Sequence, residues 1–288
     1  MTINASSQEK LLIIGCGDLG QRLAQHLDRE TYTITGLRRH PPADQPHLHY
    51  LACDATQSGQ LDTLFSDQSF DVIVITMTPT ERSDTGYQQA YVSTCHNLIA
   101  ALRQHQRKPR LIIFVSSTAV YGQNDGSWID EQTATQPNGF AGTRLLEAEQ
   151  IIQNSGFAHC IVRFSGIYGP GRNRLIEQVK QRRAPASPHY TNRIHAEDCA
   201  GTLAHLIALQ HKQPLANIYL ATDSSPTPMI EVVSWIAQQL GATDFLCAEA
   251  SNERGNKRIS NQRLLTSGYQ FRYPDYRMGY AELLSSNP

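Results

Sequence analysis

Short apolar runs of strand length recur along the chain, separated by stretches in which apolar positions return every three or four residues. The runs at 10–14, 31–37, 48–52, 72–76, 111–116, 159–163 and 218–220 predict strands, and helices are expected at about 86–104, 141–154, 196–209 and 229–240. Between the first two strands, DLGQRLAQHL sets Leu19, Leu23 and Leu27 four apart, one apolar stripe of a helix packed on a sheet. Strands that are apolar throughout and alternate with helices build βαβ units, so the predicted fold class is α/β with a doubly wound parallel sheet. Past Gly169 the alternation fades. Residues 172–192 are rich in Arg, Pro, Ser and His, and the tail from Asn252 is polar with scattered Tyr and Arg, which predicts a smaller, discontinuous C-terminal lobe.

Composition narrows the partners. The 288 residues are 40% hydrophobic and 18% charged, enough for a core and incompatible with disorder as the main state. With 25 Lys plus Arg against 26 Asp plus Glu, the formal net charge is -1, so no global field draws the chain to nucleic acid or an anionic membrane. A small-molecule partner is expected, with no nucleic acid and no membrane. No uninterrupted apolar run exceeds five residues, as at 111–115, against the about 18 to 20 of a membrane-spanning helix. The polar start MTINASSQEK lacks a signal-peptide pattern, so a cytoplasmic location is expected. Cys16, Cys53, Cys95, Cys160, Cys199 and Cys247 are dispersed and read as buried thiols. His40, His47 and His49 sit with Asp44 in a Pro-rich surface loop, and no spacing in the chain calls for a metal.

The sharpest local signal is GCGDLG, directly after the first strand and opening a helix. Gly15, Gly17 and Gly20 take the G-x-G-x-x-G spacing. The first glycine permits the tight turn, the second lets the backbone approach a pyrophosphate, and the third lets helix and strand pack closely. Asp18 and Leu19 complete the turn at a helix N-terminus, where free N–H groups and the helix dipole favour phosphate. Where an acidic residue would hold the ribose hydroxyls of NAD, the second strand ends in Arg38 and Arg39. Guanidinium groups suit a 2′-phosphate, so NADP is expected over NAD, the alternative being two solvated loop arginines. Asp54 is placed either to meet the adenine edge or to form a turn. Thr76, Met77 and Thr78, after the fourth strand, are expected along the cofactor's path.

Further motifs follow in order: CDAT, FVSSTAVYG at 114–122, DEQTATQP at 130–137, VRFSGIYGPGR at 162–172 and RIHAEDCA at 193–200. With these the chain resembles the short-chain dehydrogenase/reductase superfamily in its extended NAD-dependent epimerase/dehydratase branch, with the glycine spacing of atypical members. The resemblance covers most of the chain. It implies a Rossmann fold, an NAD(P)-binding domain over 1–170 with contributions from about 193–223, and a substrate lobe over most of 171–288. It also implies that Ser117, with Ser116 and Thr118 adjacent, orients a substrate oxygen, that Ser116 borders the cofactor, and that Phe164 and Ser165 lie beside the nicotinamide. Arg193 and His195 would face the substrate lobe, and Arg172, Arg174 and Arg193 could jointly hold an anionic group, against helix-start and packing roles for His195 and Asp198.

The family pattern then requires a Tyr four residues before a Lys on one helix, the Tyr as general acid or base and the Lys tuning it and holding the nicotinamide ribose. Here Phe140 occupies the tyrosine position and Arg144 the lysine position. Phenylalanine has no proton to exchange, while Arg144 keeps a charge that ribose hydroxyls could use. Either another acid serves, Tyr121 and Tyr168 being nearest in the motifs, or the protein is a non-catalytic NADP-responsive sensor acting through a partner. The enzyme reading is a redox, epimerase or dehydratase reaction on a small polar, sugar-like or nucleotide-linked substrate. Family members often dimerise through two long helices, here at about 86–104 and 141–154, and the resemblance carries a homodimer as an expectation.

Overall fold

The computed structural model describes residues 8–242 and 255–285; Cys247 and the start of the polar tail at Asn252 lie outside them. In chain order the elements begin with β1 (Glu9–Ile14), α1 (Asp18–His26), β2 (Tyr32–Arg38), β3 (His49–Ala52), α2 (Ser58–Asp67), β4 (Val72–Ile75), α3 (Asp84–Tyr87), α4 (Thr94–Gln104) and β5 (Leu111–Ser117). There follow β6 (Trp128–Ile129), α5 (Phe140–Gln153), β7 (His159–Phe164), β8 (Gly166–Tyr168), α6 (Arg174–Lys180), β9 (Tyr190–Thr191), β10 (Arg193–His195), α7 (Ala196–Leu209) and β11 (Ile218–Ala221). The chain closes with β12 (Thr227–Pro228), α8 (Met229–Gln239), β13 (Arg258–Ile259), α9 (Gln262–Thr266) and α10 (Tyr276–Ser285).

A seven-stranded sheet runs in the order β11-β7-β5-β4-β1-β2-β3. The pairs β2–β3, β1–β2, β1–β4 and β4–β5 are parallel. The order reverses beside β1, the topology of a Rossmann sheet, and the ligand of such sheets lies at the carboxyl ends of the strands near that switch. Leu11 to Ile14 in β1 and all of β4 are fully buried, as strands covered on both faces must be.

Two compact units divide the chain. The first takes the described parts of 1–120, 137–162 and 203–218; the second takes those of 121–136, 163–202 and 219–288. In the second, α6, α8 and α10 surround a core of Ile176, Val179, Val232, Val233, Ile236 and Leu283, to which Tyr168, Tyr276 and Tyr280 contribute their rings.

Two elements differ from the sequence pattern. Helix α2 was not expected there, because SGQLDTLFSD docks chiefly through Leu61 and Phe65, four apart and fully buried, and is otherwise polar. The single helix expected over 86–104 starts at Asp84 and is interrupted by a π-turn over Gln88–Ser93. Its apolar spacing is nearly that of an α-helix, so the extra residue leaves little trace in the pattern.

Candidate functional site

Gly15 has φ +78°, and a Cβ there would stand 2.7 Å from Met77 Sδ and 2.9 Å from Met77 Cα. The turn is therefore closed to any side chain. Cys16 N donates to Leu37 O at 3.0 Å and Gly17 N to Gly15 O at 2.7 Å, which pins the turn over the end of β2. At Gly20 a Cβ would meet Ile13 Cγ2 at 2.9 Å and Cys16 Sγ at 3.0 Å, so this glycine sets the close approach of α1 to β1. Gly17 is different, with only Gly15 O, at 3.9 Å, near the place of a Cβ. No side chain caps α1. The second glycine thus leaves open backbone at an uncapped helix N-terminus, which fits a diphosphate. Asp18, in the first turn, has its carboxylate held by Arg22 Nε at 2.9 Å, and Leu19 is half-buried.

Around this turn the expected residues divide by what they touch. Thr76 is buried and gives its hydroxyl to Gly15 O at 3.0 Å, a support for the turn from beneath. Met77 is half-buried against Gly15, and Thr78 is exposed. Arg38 is half-buried at the end of β2, and among the described residues no carboxylate pairs with it. Arg39 is exposed and donates to Thr80 Oγ1 at 3.1 Å. Asp54 accepts from Thr56 N at 3.1 Å and Thr56 Oγ1 at 2.7 Å, both through Oδ1, which closes a local turn.

At the end of β5 the three adjacent hydroxyls separate. Ser116 is buried and donates to the buried Glu149 Oε1 at 2.5 Å, which occupies it with the interior of α5. Thr118 is buried, while Ser117 is half-buried, with Ala119 N donating to its Oγ at 3.2 Å. Ser117 is the hydroxyl of the three that reaches the surface.

Helix α5 starts at Phe140 and comes close beneath this segment because Gly142 lacks a side chain. Phe140 is 39% exposed and meets Tyr87 edge-on, with ring centroids 5.4 Å apart. Arg144 makes a bidentate pair with Asp84, both bonds 2.8 Å, and a third bond of 2.8 Å to Glu147. These bonds hold the guanidinium charged and draw the Asp84 carboxyl below its ordinary range. Neither Asp84 nor Tyr87 stood out in the sequence reading. Ser83, whose side chain accepts from Gly86 N at 3.0 Å, is the local sign that a helix starts there, and Asp84 and Tyr87 then fall three apart on one face.

The second unit holds the remaining expected residues, most of them inside it. Tyr121 is buried, donates to Asp130 O at 3.1 Å and accepts from Arg163 Nη1 at 2.6 Å, with that guanidinium over its ring. Tyr168 is buried, stacks on Tyr280 at 4.5 Å, and burial pushes its phenol up. Both tyrosines are packed inside the second unit. Phe164 is buried, and Ser165, also buried, gives its hydroxyl to Thr222 Oγ1 at 3.0 Å. Arg193 is buried, bonded to Thr191 Oγ1 and to Met229 Sδ. Arg172 is half-buried and Arg174 exposed. Asp198 accepts from Tyr269 Oη at 2.9 Å and from Arg272 N and Tyr273 N at 2.8 and 2.9 Å, while His195 packs its ring on Tyr168 and Tyr273. Among the described residues no three His, Cys, Asp or Glu gather as a metal site, and no helix is long and apolar enough to cross a membrane.

Three comparisons bear on this geometry. The family model described as the NAD dependent epimerase/dehydratase family matches residues 11–216. No curated protein matches the chain. Among solved structures, a Methylobacillus flagellatus protein provisionally described as an NAD-dependent epimerase/dehydratase is 37% identical, with a TM-score of 0.83, covering 97% of this chain and 99% of that one. A conserved protein of unknown function from Silicibacter pomeroyi is 26% identical, with a TM-score of 0.73 over 97% of this chain and 99% of that one. The UDP-glucuronic acid 4-epimerase of Bacillus cereus, solved with UDP-glucuronic acid and NAD, shares the fold at 17% identity, with a TM-score of 0.80, over 96% of this chain and 99% of that one.

Proposed function

The chain belongs to the NAD-dependent epimerase/dehydratase family, and from that premise we propose that it is an NADP-dependent enzyme acting on a small polar hydroxyl or carbonyl compound, sugar-like or nucleotide-linked. The observation that carries the reading is the open glycine turn. Gly17 leaves the N-terminus of α1 uncovered, and Arg38, without a carboxylate partner among the described residues, stands at the end of the neighbouring strand. The turn would hold a diphosphate through backbone N–H groups, and Arg38 and Arg39 would hold a 2′-phosphate in preference to bare hydroxyls. When bound, the nicotinamide supplies hydride exchange. Ser117 would orient the substrate oxygen with its hydroxyl. Thr76 keeps the turn in shape by its bond to Gly15 O.

A specific observation favours a second reading, an NADP-responsive binding protein: position 140 carries no phenol, and the Arg144 charge is committed to Asp84 and Glu147. Turnover separates the two. Steady NADPH consumption with a panel of carbonyl metabolites supports the enzyme, and tight cofactor binding without turnover supports the sensor.

Cofactor choice is tested by fluorescence titration with NADPH and NADH, repeated on Arg38→Ala. A charge-assisted hydrogen bond contributes about 1.5–3 kcal/mol, so the variant is expected to lose roughly 10- to 100-fold in NADPH affinity and little in NADH affinity. Equal affinity for both cofactors, unchanged by the substitution, removes the NADP preference.

A further inference from the structure

The phenol absent from position 140 has a neighbour that carries one. Two contacts join α3 to α5: Asp84 to Arg144, and Tyr87 to Phe140. Asp84 and Tyr87 lie three apart on α3, and Phe140 and Arg144 four apart on α5, so each pair shares one helix face and the faces meet as two rungs. The π-turn over Gln88–Ser93 follows directly after Tyr87. Its extra residue turns α3 out of phase with α4, and single π-turns of this kind are frequent at functional sites. Phe140 thus presents its ring to a phenol on the adjacent helix.

The other phenols considered for this role are committed elsewhere. Tyr91 lies against Tyr87 and Phe114, and burial pushes its phenol up. Tyr121 is bonded to Arg163 and Asp130, and Tyr168 is enclosed among rings. Tyr87 is half-buried, and its hydroxyl has no hydrogen-bond partner among the described residues.

We infer that Tyr87 is the proton donor of this site, replacing from α3 the phenol that α5 lacks. The inference rests on the reading that the first unit binds a nicotinamide cofactor, and it adds a direction. Arg144 is bonded to two carboxylates, Asp84 and Glu147. Its charge is committed to them, and the part left to Tyr87 is to give its hydroxyl proton. Its O–H bond would break as an O–H bond forms on a substrate carbonyl oxygen, and the phenol oxygen would take back a proton from water. A reduced nicotinamide, when bound, would supply the hydride and its two electrons to the carbonyl carbon, so that the product is an alcohol.

The experiment labels the full chain with 3-fluorotyrosine and identifies the Tyr87 fluorine signal by its loss in Tyr87→Phe, which keeps the ring contact with Phe140. Addition of NADPH is expected to move the Tyr87 signal and leave unmoved that of Tyr32, whose hydroxyl lies by His211. In parallel, Tyr87→Phe is expected to keep NADPH affinity within twofold while losing about 10²- to 10⁴-fold of any turnover found with aldehydes, ketones and keto-sugars. Phe140→Tyr added to Tyr87→Phe should restore part of that loss. A Tyr87 signal that stays still while NADPH binds, or turnover unchanged in Tyr87→Phe, overturns the assignment alone. If no panel compound is turned over, the fluorine signal decides. A wild-type chain that binds neither NADPH nor NADH overturns the cofactor reading and this inference with it.

Discussion

Asp223 shows at the residue scale how burial in the second unit turns a carboxylate into a pH-sensitive liability. It is 1% exposed, accepts from Ser225 N at 3.2 Å through Oδ1, and has no hydrogen-bond partner for Oδ2 among the described residues. Burial raises its pKa from 3.8 to about 8, with Arg193 nearby opposing the rise. A carboxyl raised on folding keeps its proton in the native state while the unfolded chain releases it, so stability falls as pH climbs from about 4 to about 8 and levels off above that. Asp223→Asn preserves the shape and removes the titration. The variant is therefore expected to gain stability over wild type progressively across that window, measured by urea unfolding at pH 4, 6 and 8. A difference that does not change with pH would show that Asp223 is ionised in the native protein. Nothing in the local sequence ATDSSP distinguishes this aspartate from a surface turn, because its burial comes from elements distant in the chain.

At the scale of elements, the placement of α5 depends on one missing methyl group. A Cβ on Gly142 would stand 2.2 Å from Ala119 O and 2.7 Å from Pro137 Cβ, and a backbone carbonyl has little room to yield. Gly142→Ala should gain up to about 1 kcal/mol in helix propensity and lose more to overpacking, typically ~1–3 kcal/mol, so its melting temperature is expected to fall. Gly59→Ala, in the first turn of α2 with nothing within 4 Å, is the control and is expected to be neutral or stabilising. A fall of equal size in both would point to a cause other than the α5 contact. The same contrast explains what the sequence discloses. LLII and VIVI read as buried strands because every position is apolar, and GCGDLG reads as a turn because each glycine has a local steric task. The Asp84–Arg144 pair spans 60 residues, and no local rule links its halves. Ser116 and Ser117 are chemically alike, and the pleat of β5 decides which one faces Glu149. No local rule links Arg193 to Met229, 36 residues on, whose sulfur it meets inside the second unit.

For the whole molecule, the near-zero net charge conceals a local arrangement that ligand linkage can expose. The formal charge is -1, while the open end of α1 and Arg38 lie together at the switch point of the sheet. A ligand that binds only the native chain raises stability by about 2.7 kcal/mol at a hundredfold excess over its dissociation constant. NADPH at that excess is therefore expected to raise the melting temperature and to slow amide exchange over residues 15–20 in the first unit. Gly17→Ala separates binding from folding. The space before the Gly17 Cα is open, with only Gly15 O, at 3.9 Å, near the place of a Cβ, so the added methyl group meets no clash in the ligand-free chain, and the melting temperature without ligand should stay within a few degrees of wild type. The added methyl group would fill the approach of a phosphate to the backbone, and the NADPH-induced rise should disappear. A rise of undiminished size in Gly17→Ala would place the cofactor elsewhere on the chain, whereas loss of the rise with the ligand-free melting temperature preserved locates the phosphates at the second glycine.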